Sequence, residues 1–373
     1  IDVCPVGALT AKPSRYKGRS WEMMQHKSVA PHDCIGSNIY VHTLRGEIVR
    51  VVPCENEAIN EVWLSDRDRF SYEGLETDDR LTTPMIKRDG EWQQASRDEA
   101  LKLAADKLGE VAELKAKQIA AAEAPAAAEN EAVDNSAVDQ SAEAAESEAA
   151  EEVSIEMAAL VSVSSTLEEQ YLAQKLMRGL GSGNIDFRLR QSDFSDQDSA
   201  PVMPWLGQNI EQLENLDAAL LIGSNVRKVQ PIANLRLRKA AANMGAQISF
   251  LNPREYDFNF PVANNLSVAS QNLVSELAAI AAAAFKLSGN SAPANLADAV
   301  WKAKQSDAHK AIAQQLKDGE SSTVLLGNIA HMHPQLSSLR ALAEAIAKET
   351  GLSLIHISEP TRRRDSSRMP SSA

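Results

Sequence analysis

Three continuous apolar runs constrain this chain most: Leu216-Asp217-Ala218-Ala219-Leu220-Leu221-Ile222-Gly223, Ala246-Gln247-Ile248-Ser249-Phe250-Leu251-Asn252 and Thr323-Val324-Leu325-Leu326-Gly327. A strand with one wet face alternates apolar and polar residues, whereas a strand covered on both faces reads as a near-continuous apolar run. Helical stretches separate the runs, near Pro231 to Ala242 and in the Ala-rich segment from about Val274 to Lys286. Ala158 to Ser164 reads as a further buried strand. Thr166 with Glu169 three residues on forms a capping box for a helix through Gln174 to Arg178, ended by Gly179 and Gly181. Alternating strands and helices predict an α/β fold with a parallel sheet.

Residues 38–54 predict something different. Ile39, Val41 and Leu44 precede a turn at Arg45-Gly46-Glu47, and Ile48, Val49, Val51 and Val52 follow it up to Pro53. β-branched residues around a glycine turn predict a hairpin in a small β-rich piece with one buried face. Charge separates a third region. The net charge is −13, and residues 118–152 contribute −10 of it through ten acidic side chains with no Lys or Arg. That stretch has no apolar stripe with which to dock a helix, so it reads as a disordered or transiently helical surface insertion. No run approaches the roughly 20 apolar residues of a membrane span, so no direct membrane insertion is expected.

Chemistry concentrates at the start, in Ile1-Asp2-Val3-Cys4-Pro5-Val6-Gly7-Ala8-Leu9-Thr10. Cys-Pro followed by small residues is how the last thiolate ligand of a ferredoxin-type iron–sulfur site reads. The bland alternative is a small buried thiol at a turn. A cluster needs about four ligands, and only Cys4, Cys34 and Cys54 are present. The expectation is therefore that the remaining ligands lie upstream of Ile1 and that the chain is a fragment.

The opening segment resembles the fourth-ligand segment of a [4Fe-4S] cluster in the G subunit of NADH-quinone oxidoreductase, the large peripheral-arm subunit of respiratory complex I. Gly36-Ser37-Asn38-Ile39, Arg45 to Arg50, Glu57 to Asp66, Arg69-Phe70, Gly179 to Gln191, Asp193 to Gln197 and Tyr256 to Val262 follow in that family's order, and the resemblance continues to about Gly351. It implies a [4Fe-4S] cluster with Cys4 as cofactor and metal ligand, and peripheral-arm complex I subunits as partners. The implied activity is electron relay from NADH and flavin toward quinone in proton-pumping respiration, at the cytoplasmic face of the bacterial inner membrane. The family keeps a molybdopterin-oxidoreductase fold without that cofactor, so no molybdopterin is expected. A molybdopterin-dependent enzyme such as a formate dehydrogenase, and a cofactor-free structural subunit, are the alternatives.

Some members bind a further cluster through a Cys-x2-Cys-x3-Cys-x27-Cys pattern, and alignment puts Ala30, Asp33, Ser37 and Ser65 at those positions. None is a thiol, so the extra cluster reads as lost. Cys34 and Cys54 read as reduced thiols without a role, and His26 and His32 lack the further ligand that a mixed site with Cys34 would need.

Other candidates are weaker. Gly223-Ser224-Asn225 and Gly179-Leu180-Gly181-Ser182-Gly183 fit neither dinucleotide nor P-loop spacing and read as caps and turns. His331 and His333 flank Met332 without a third ligand, which favours a surface or turn role. Asp193, Asp196 and Asp198, with Arg188 and Arg190 nearby, suggest an ion-pair network or a subunit contact. No catalytic acid, base or nucleophile stands out, and no nucleic-acid partner is expected.

Residues 352–373 look like the in-frame translation of a sequencing adapter and its flow-cell primer, and Arg362-Arg363-Arg364 falls inside that tail. The expected organisation is an α/β chain. Residues 1–20 end a ferredoxin-like [4Fe-4S] segment, 21–85 form a β-rich cap with a degenerate cluster site, and 86–117 begin the α/β domain. The disordered insertion takes 118–152, the molybdopterin-oxidoreductase-like α/β domain takes 153–351, and the adapter artefact takes 352–373.

Overall fold

The structure, a computed structural model, describes residues 1–2, 4–128, 157–162, 165–187, 193–196, 198 and 206–351. These fall into two compact units, Ile1–Glu76 with Leu189–Ala373, and Thr77–Arg188.

The first unit opens with a three-stranded antiparallel sheet of β1 (Met24–Val29), β2 (Asn38–Leu44) and β3 (Glu47–Pro53), in the order β1-β2-β3. The predicted hairpin is β2 and β3. Its two-residue turn is Arg45-Gly46, both with positive φ (57° and 89°), and Leu44 pairs Glu47 across it. That left-handed pair matches the twist of an antiparallel ribbon. One face of the sheet buries Ala30, Ile39 and Val51 with Val41, Leu64 and Tyr72 packed against them. The Asn60 side chain closes the loop after β3. Its Oδ1 accepts from the Asn38 amide (2.9 Å), and its Nδ2 donates to the carbonyls of Trp63 (3.1 Å) and Cys54 (3.2 Å). Helix α1 (Asp66–Phe70) follows, with Ser65 as its cap.

The second unit holds the hairpin β4 (Met85–Arg88) and β5 (Glu91–Gln94), then the long helix α2 (Arg97–Ala128). Residues 118–128, the start of the insertion read as disordered or transiently helical, have a helical backbone, because Ala and Glu have high helix propensity and extend a helix already nucleated. The remainder of the insertion lies outside the described residues. Strand β6 (Ala159–Leu160), helix α3 (Leu167–Gly179) and strand β7 (Ile185–Asp186) complete the unit, β6 and β7 pairing in parallel. Among the described residues, the segment expected as a buried strand from Ala158 is a two-residue strand with Leu160 exposed, paired to the equally short β7, while Val163 and Ser164 lie outside the described residues. The capping box is as read: Thr166 Oγ1 accepts from the Glu169 amide (3.2 Å) and Glu169 Oε2 from the Thr166 amide (2.8 Å).

Returning to the first unit, the chain runs through β8 (Ala218–Ile222), α4 (Val226–Val229), α5 (Pro231–Lys239), β9 (Gln247–Asn252), β10 (Asn264–Ser267), α6 (Leu273–Ser288), α7 (Ala294–Lys302), α8 (Asp307–Asp318), β11 (Ser322–Leu326), α9 (Asn328–His331) and α10 (Leu336–Thr350). The sheet is parallel throughout, in the order β10-β9-β8-β11. All five residues of β8 and of β11 are buried, as continuous apolar runs require when both faces are covered. Alternate residues serve opposite faces. Leu220, Ile222, Val324 and Leu326 pack with Leu277, Phe285, Ile312 and Ile346 of α6, α8 and α10. Ala219, Leu221, Ile248 and Phe250 pack with Leu213, Ile232, Leu237 and Phe258.

Buried charge binds the β-rich piece to the parallel sheet. The Arg236 guanidinium, 5% exposed, pairs with Glu61 (2.9 Å) and Glu214 and donates to the Ile59 carbonyl (3.1 Å), while Lys239 pairs with the same two carboxylates.

Candidate functional site

Cys4 sits in a tight loop. The Gly7 amide donates to the Cys4 carbonyl (3.4 Å), and Gly7 takes φ +66°, which turns the chain back over the sulfur. The Leu9 amide foremost, against a smaller opposing pull from desolvation, and then the amides of Ala8, Val6 and Gly7, hold the Cys4 thiol below the ordinary cysteine range. A lowered thiol favours the thiolate, the form that binds metal, and Cys4 is the one residue of this loop that could hold a corner of an iron–sulfur cluster. Among the described residues, no group of three or more His, Cys, Asp and Glu side chains is placed to hold a metal ion.

The loop is anchored by a residue that belongs to the resemblance but carries no role in the sequence reading. Arg69, on α1 and nearly buried, makes a two-pronged contact with the Asp2 carboxylate, one arm at 3.1 Å. Planar guanidinium–carboxylate pairing fixes orientation as well as distance.

The four positions aligned with a second cluster are all buried: Ala30 (3% exposed), Asp33 (5%), Ser37 (0%) and Ser65 (5%). The Ala30 amide donates to the Ser37 carbonyl (2.8 Å), closing a turn inside which Asp33 Oδ1 accepts from the Ile35 amide (3.1 Å). Ser65 Oγ accepts from the Asp68 amide (3.1 Å) and donates to Asp68 Oδ2 (2.6 Å). Burial first, and then the neighbouring Asp68 charge, push the Asp33 carboxyl up to about 6, against the Ile35 amide and Arg67. Asp68 is thus part of this pocket. Its only signal in the sequence is the Ser65-x-x-Asp68 spacing of a helix cap.

None of the three cysteines is in a disulfide. Cys34 accepts from Gln230 Nε2 (3.0 Å), and Cys54 lies against the Tyr40 hydroxyl, where it raises the tyrosine's proton affinity. His26 hydrogen-bonds Thr43 on the outer side of the sheet (3.2 Å). His333 is more than a turn residue: it is buried, with Nε2 on the Ser270 carbonyl (3.0 Å) and Nδ1 accepting from the Gln335 amide (3.1 Å). Asp193 accepts from the Ser337 amide (2.9 Å) and from the Ser195 and Ser337 hydroxyls, which hold its carboxyl well below the usual range. Asp196 pairs with Arg340. The expected acidic network therefore ties to α10, while Arg188 and Arg190 lie outside the described residues.

The strand order changes direction between β8 and β11, and such a switch point is where doubly wound sheets open a ligand crevice. In this chain the loops at that point close on each other. Gly223 takes φ +59°, and a Cβ there would lie 2.5 Å from the Ala330 amide nitrogen. A Cβ on Gly327 would lie 2.6 Å from the Gly223 carbonyl oxygen. The Gly327 and Ile329 amides donate to the Ile222 (2.8 Å) and Gly223 (2.9 Å) carbonyls, and Asn252 Oδ1 takes the Ser224 amide (2.8 Å). The loops after β8 and β11 thus pack directly on each other, in keeping with the cap-and-turn reading of Gly223-Ser224-Asn225.

Two known families match the chain. The family "NADH-ubiquinone oxidoreductase NDSU1/NuoG-like, 4Fe-4S domain" matches residues 23–73, and "Molybdopterin oxidoreductase" matches residues 80–133 and 136–354. The chain is 35% identical over 237 residues to the G subunit of the NADH-quinone oxidoreductase of Rickettsia felis, covering 64% of this chain and 29% of that protein. It is 30% identical over 264 residues to the mitochondrial NADH-ubiquinone oxidoreductase 78 kDa subunit of Candida albicans, covering 71% and 31%. With the mitochondrial NADH dehydrogenase [ubiquinone] iron-sulfur protein 1 of Solanum tuberosum it shares 32% identity over 262 residues, covering 70% and 29%. The chain thus spans about a third of the length of these relatives. No helix among the described residues is long and apolar enough to cross a membrane.

Proposed function

Because the chain belongs to the molybdopterin oxidoreductase family and carries a NuoG-like 4Fe-4S domain, we propose that it is part of the G subunit of an NADH-quinone oxidoreductase. In this reading it relays electrons from NADH and flavin toward quinone in proton-pumping respiration. Cys4 is one ligand of a [4Fe-4S] cluster whose other three ligands come from sequence outside this chain. Such a cluster supplies one-electron transfer when bound. The chain's own residues do two things: Cys4 presents a thiol that the neighbouring backbone amides, Leu9 foremost, hold below the ordinary range, and Arg69 with Asp2 fixes the loop in place.

The observation that carries the assignment is the match of residues 23–73 to a NuoG-like 4Fe-4S domain directly after the Cys4-Pro5 segment. The α/β portion serves as a scaffold against other peripheral-arm subunits of complex I, at the cytoplasmic face of the bacterial inner membrane, without membrane insertion. The organisation into a cluster segment, a β-rich cap and an α/β body belongs to the same proposal.

The test is Cys4→Ala in the complete subunit assembled in its complex. One [4Fe-4S] signal should vanish from the electron paramagnetic resonance spectrum while subunit assembly persists. An unchanged set of cluster signals overturns the assignment.

A further inference from the structure

We infer that the groove between the loop after β3 and helix α5 docks an extended acidic segment of a partner protein, one that carries large apolar side chains beside its carboxylates. The groove measures about 500 Å³ and is open rather than enclosed. That is within the range of about 300–1,000 Å³ that ligand sites occupy. Trp63 and Leu64 line it from the loop, and Ile232 and Leu235 from the helix, all in the first unit. Two further lining residues are polar and lack the partners that a folded protein ordinarily supplies. Asn234 is 7% exposed, and its Oδ1 has no hydrogen-bond partner. A buried polar atom left unpaired is rare enough to call for an explanation. The second residue is Arg238, whose Nε donates to the Asn259 carbonyl beside it on the groove (3.1 Å). That bond fixes the guanidinium, which has no carboxylate partner among the described residues.

Charge and shape then select the occupant. Residues 226–239 hold five basic side chains and no acidic one, in a chain whose net charge is −13. Arg227 pairs with Asp257, and Arg236 and Lys239 share Glu61 and Glu214. Arg238 and Lys228 are exposed and remain for a partner, so the complementary surface is acidic. Beside them Trp63 is 43% exposed, and Trp and Arg are the residues on which interface energies concentrate. An indole next to aliphatic side chains takes large apolar side chains. The Asn234 amide carries an acceptor and two donors, and a half-turn about its terminal torsion exchanges them, which suits the alternating N–H and C=O groups of an extended backbone. A nucleic acid would need many cations along its track and gain nothing from the aliphatic wall. This inference is independent of the Cys4 assignment.

The experiment is fluorescence anisotropy of a labelled, end-capped peptide, two leucines one residue apart followed by two glutamates, titrated with the purified 373-residue chain. Trp63→Ala, Asn234→Ala and Arg238→Gln are measured in parallel, with circular dichroism to verify folding. Trp63 and Arg238 are exposed, so their replacement leaves the core intact. Saturable one-to-one binding that weakens with salt is expected in the wild type. Binding should be about tenfold weaker in Trp63→Ala. It should be about threefold weaker in Asn234→Ala and in Arg238→Gln, the latter with a flatter salt dependence. Peptides with alanine for leucine or lysine for glutamate should not bind. No saturable binding, equal binding by Trp63→Ala, or equal binding of the lysine peptide overturns the proposal. So does a dimer in sedimentation that Trp63→Ala dissociates, which gives the groove to a second copy, or displacement of the peptide by oligothymidylate, which gives it to nucleic acid.

Discussion

Asp33→Asn should stabilise the β-rich sheet at alkaline pH, an unusual expectation for the loss of a buried polar charge. The Asp33 carboxyl rises from 3.8 to about 6, through burial first and then the Asp68 charge. The folded state therefore holds this proton more tightly than the unfolded state. Stability from the group is present below the unfolded value near 4 and is lost as pH climbs through about 6. At about 1.4 kcal/mol per pH unit, the full loss by pH 8 is about 3 kcal/mol. Asparagine removes the charge and keeps the oxygen that accepts from the Ile35 amide. The long contact to half-exposed Arg67 gives back about 0–1 kcal/mol. The net gain is then about 2–3 kcal/mol at pH 8 and close to zero at pH 4. Native-state hydrogen exchange at the Ile39 and Val51 amides reads the local stability of the sheet those residues anchor. A variant no more protected than wild type at pH 8, or a wild type whose protection does not fall between pH 4 and 8, refutes the reasoning.

Asp2→Asn should leave the nearly buried Arg69 without its charge partner, at a cost of about 1–3 kcal/mol because Asp2 is itself partly solvated; faster proteolysis within residues 1–20 would register it. For Gly223→Ala, the positive φ and the 2.5 Å approach to the Ala330 amide predict a loss of about 2–5 kcal/mol in urea unfolding, far beyond what the same change does at open Gly183. Thr166→Ala should lower the stability of α3 by about 1 kcal/mol, seen as faster amide exchange at its first turn and nowhere in the parallel sheet.

How much of this was legible in the sequence depended on the kind of signal. The runs that became β8, β9 and β11 were plain because both faces of each strand are covered, which removes polar residues from the pattern. Strand β10 was not, since Asn264-Asn265-Leu266-Ser267 sits at the sheet edge with two exposed positions. The Ala158 segment misled for the converse reason: apolar composition reports that a run can be buried, and only a partner strand decides that it is. Within the candidate site, Cys4 was found because cysteine before proline is a rare pairing with a chemical meaning. Arg69, Asp2 and Asp68 are ordinary surface residue types, and their roles arise from contacts across as many as 67 positions, to which local patterns are blind.

Helix α1 turns those separate contacts into one device. Over the five residues Asp66–Phe70 it sends Arg67 toward Asp33 and the Val229 carbonyl, Asp68 into the buried pocket and Arg69 to Asp2 beside Cys4. A helix of little more than one turn has few internal hydrogen bonds, so its orientation depends on these side-chain ties and on the Ser65 cap. Charge in the Asp33 pocket and placement of the Cys4 loop therefore share one mechanical element. A proton on Asp33, which quiets the repulsion between Asp33 and Asp68, also steadies the helix that carries Arg69.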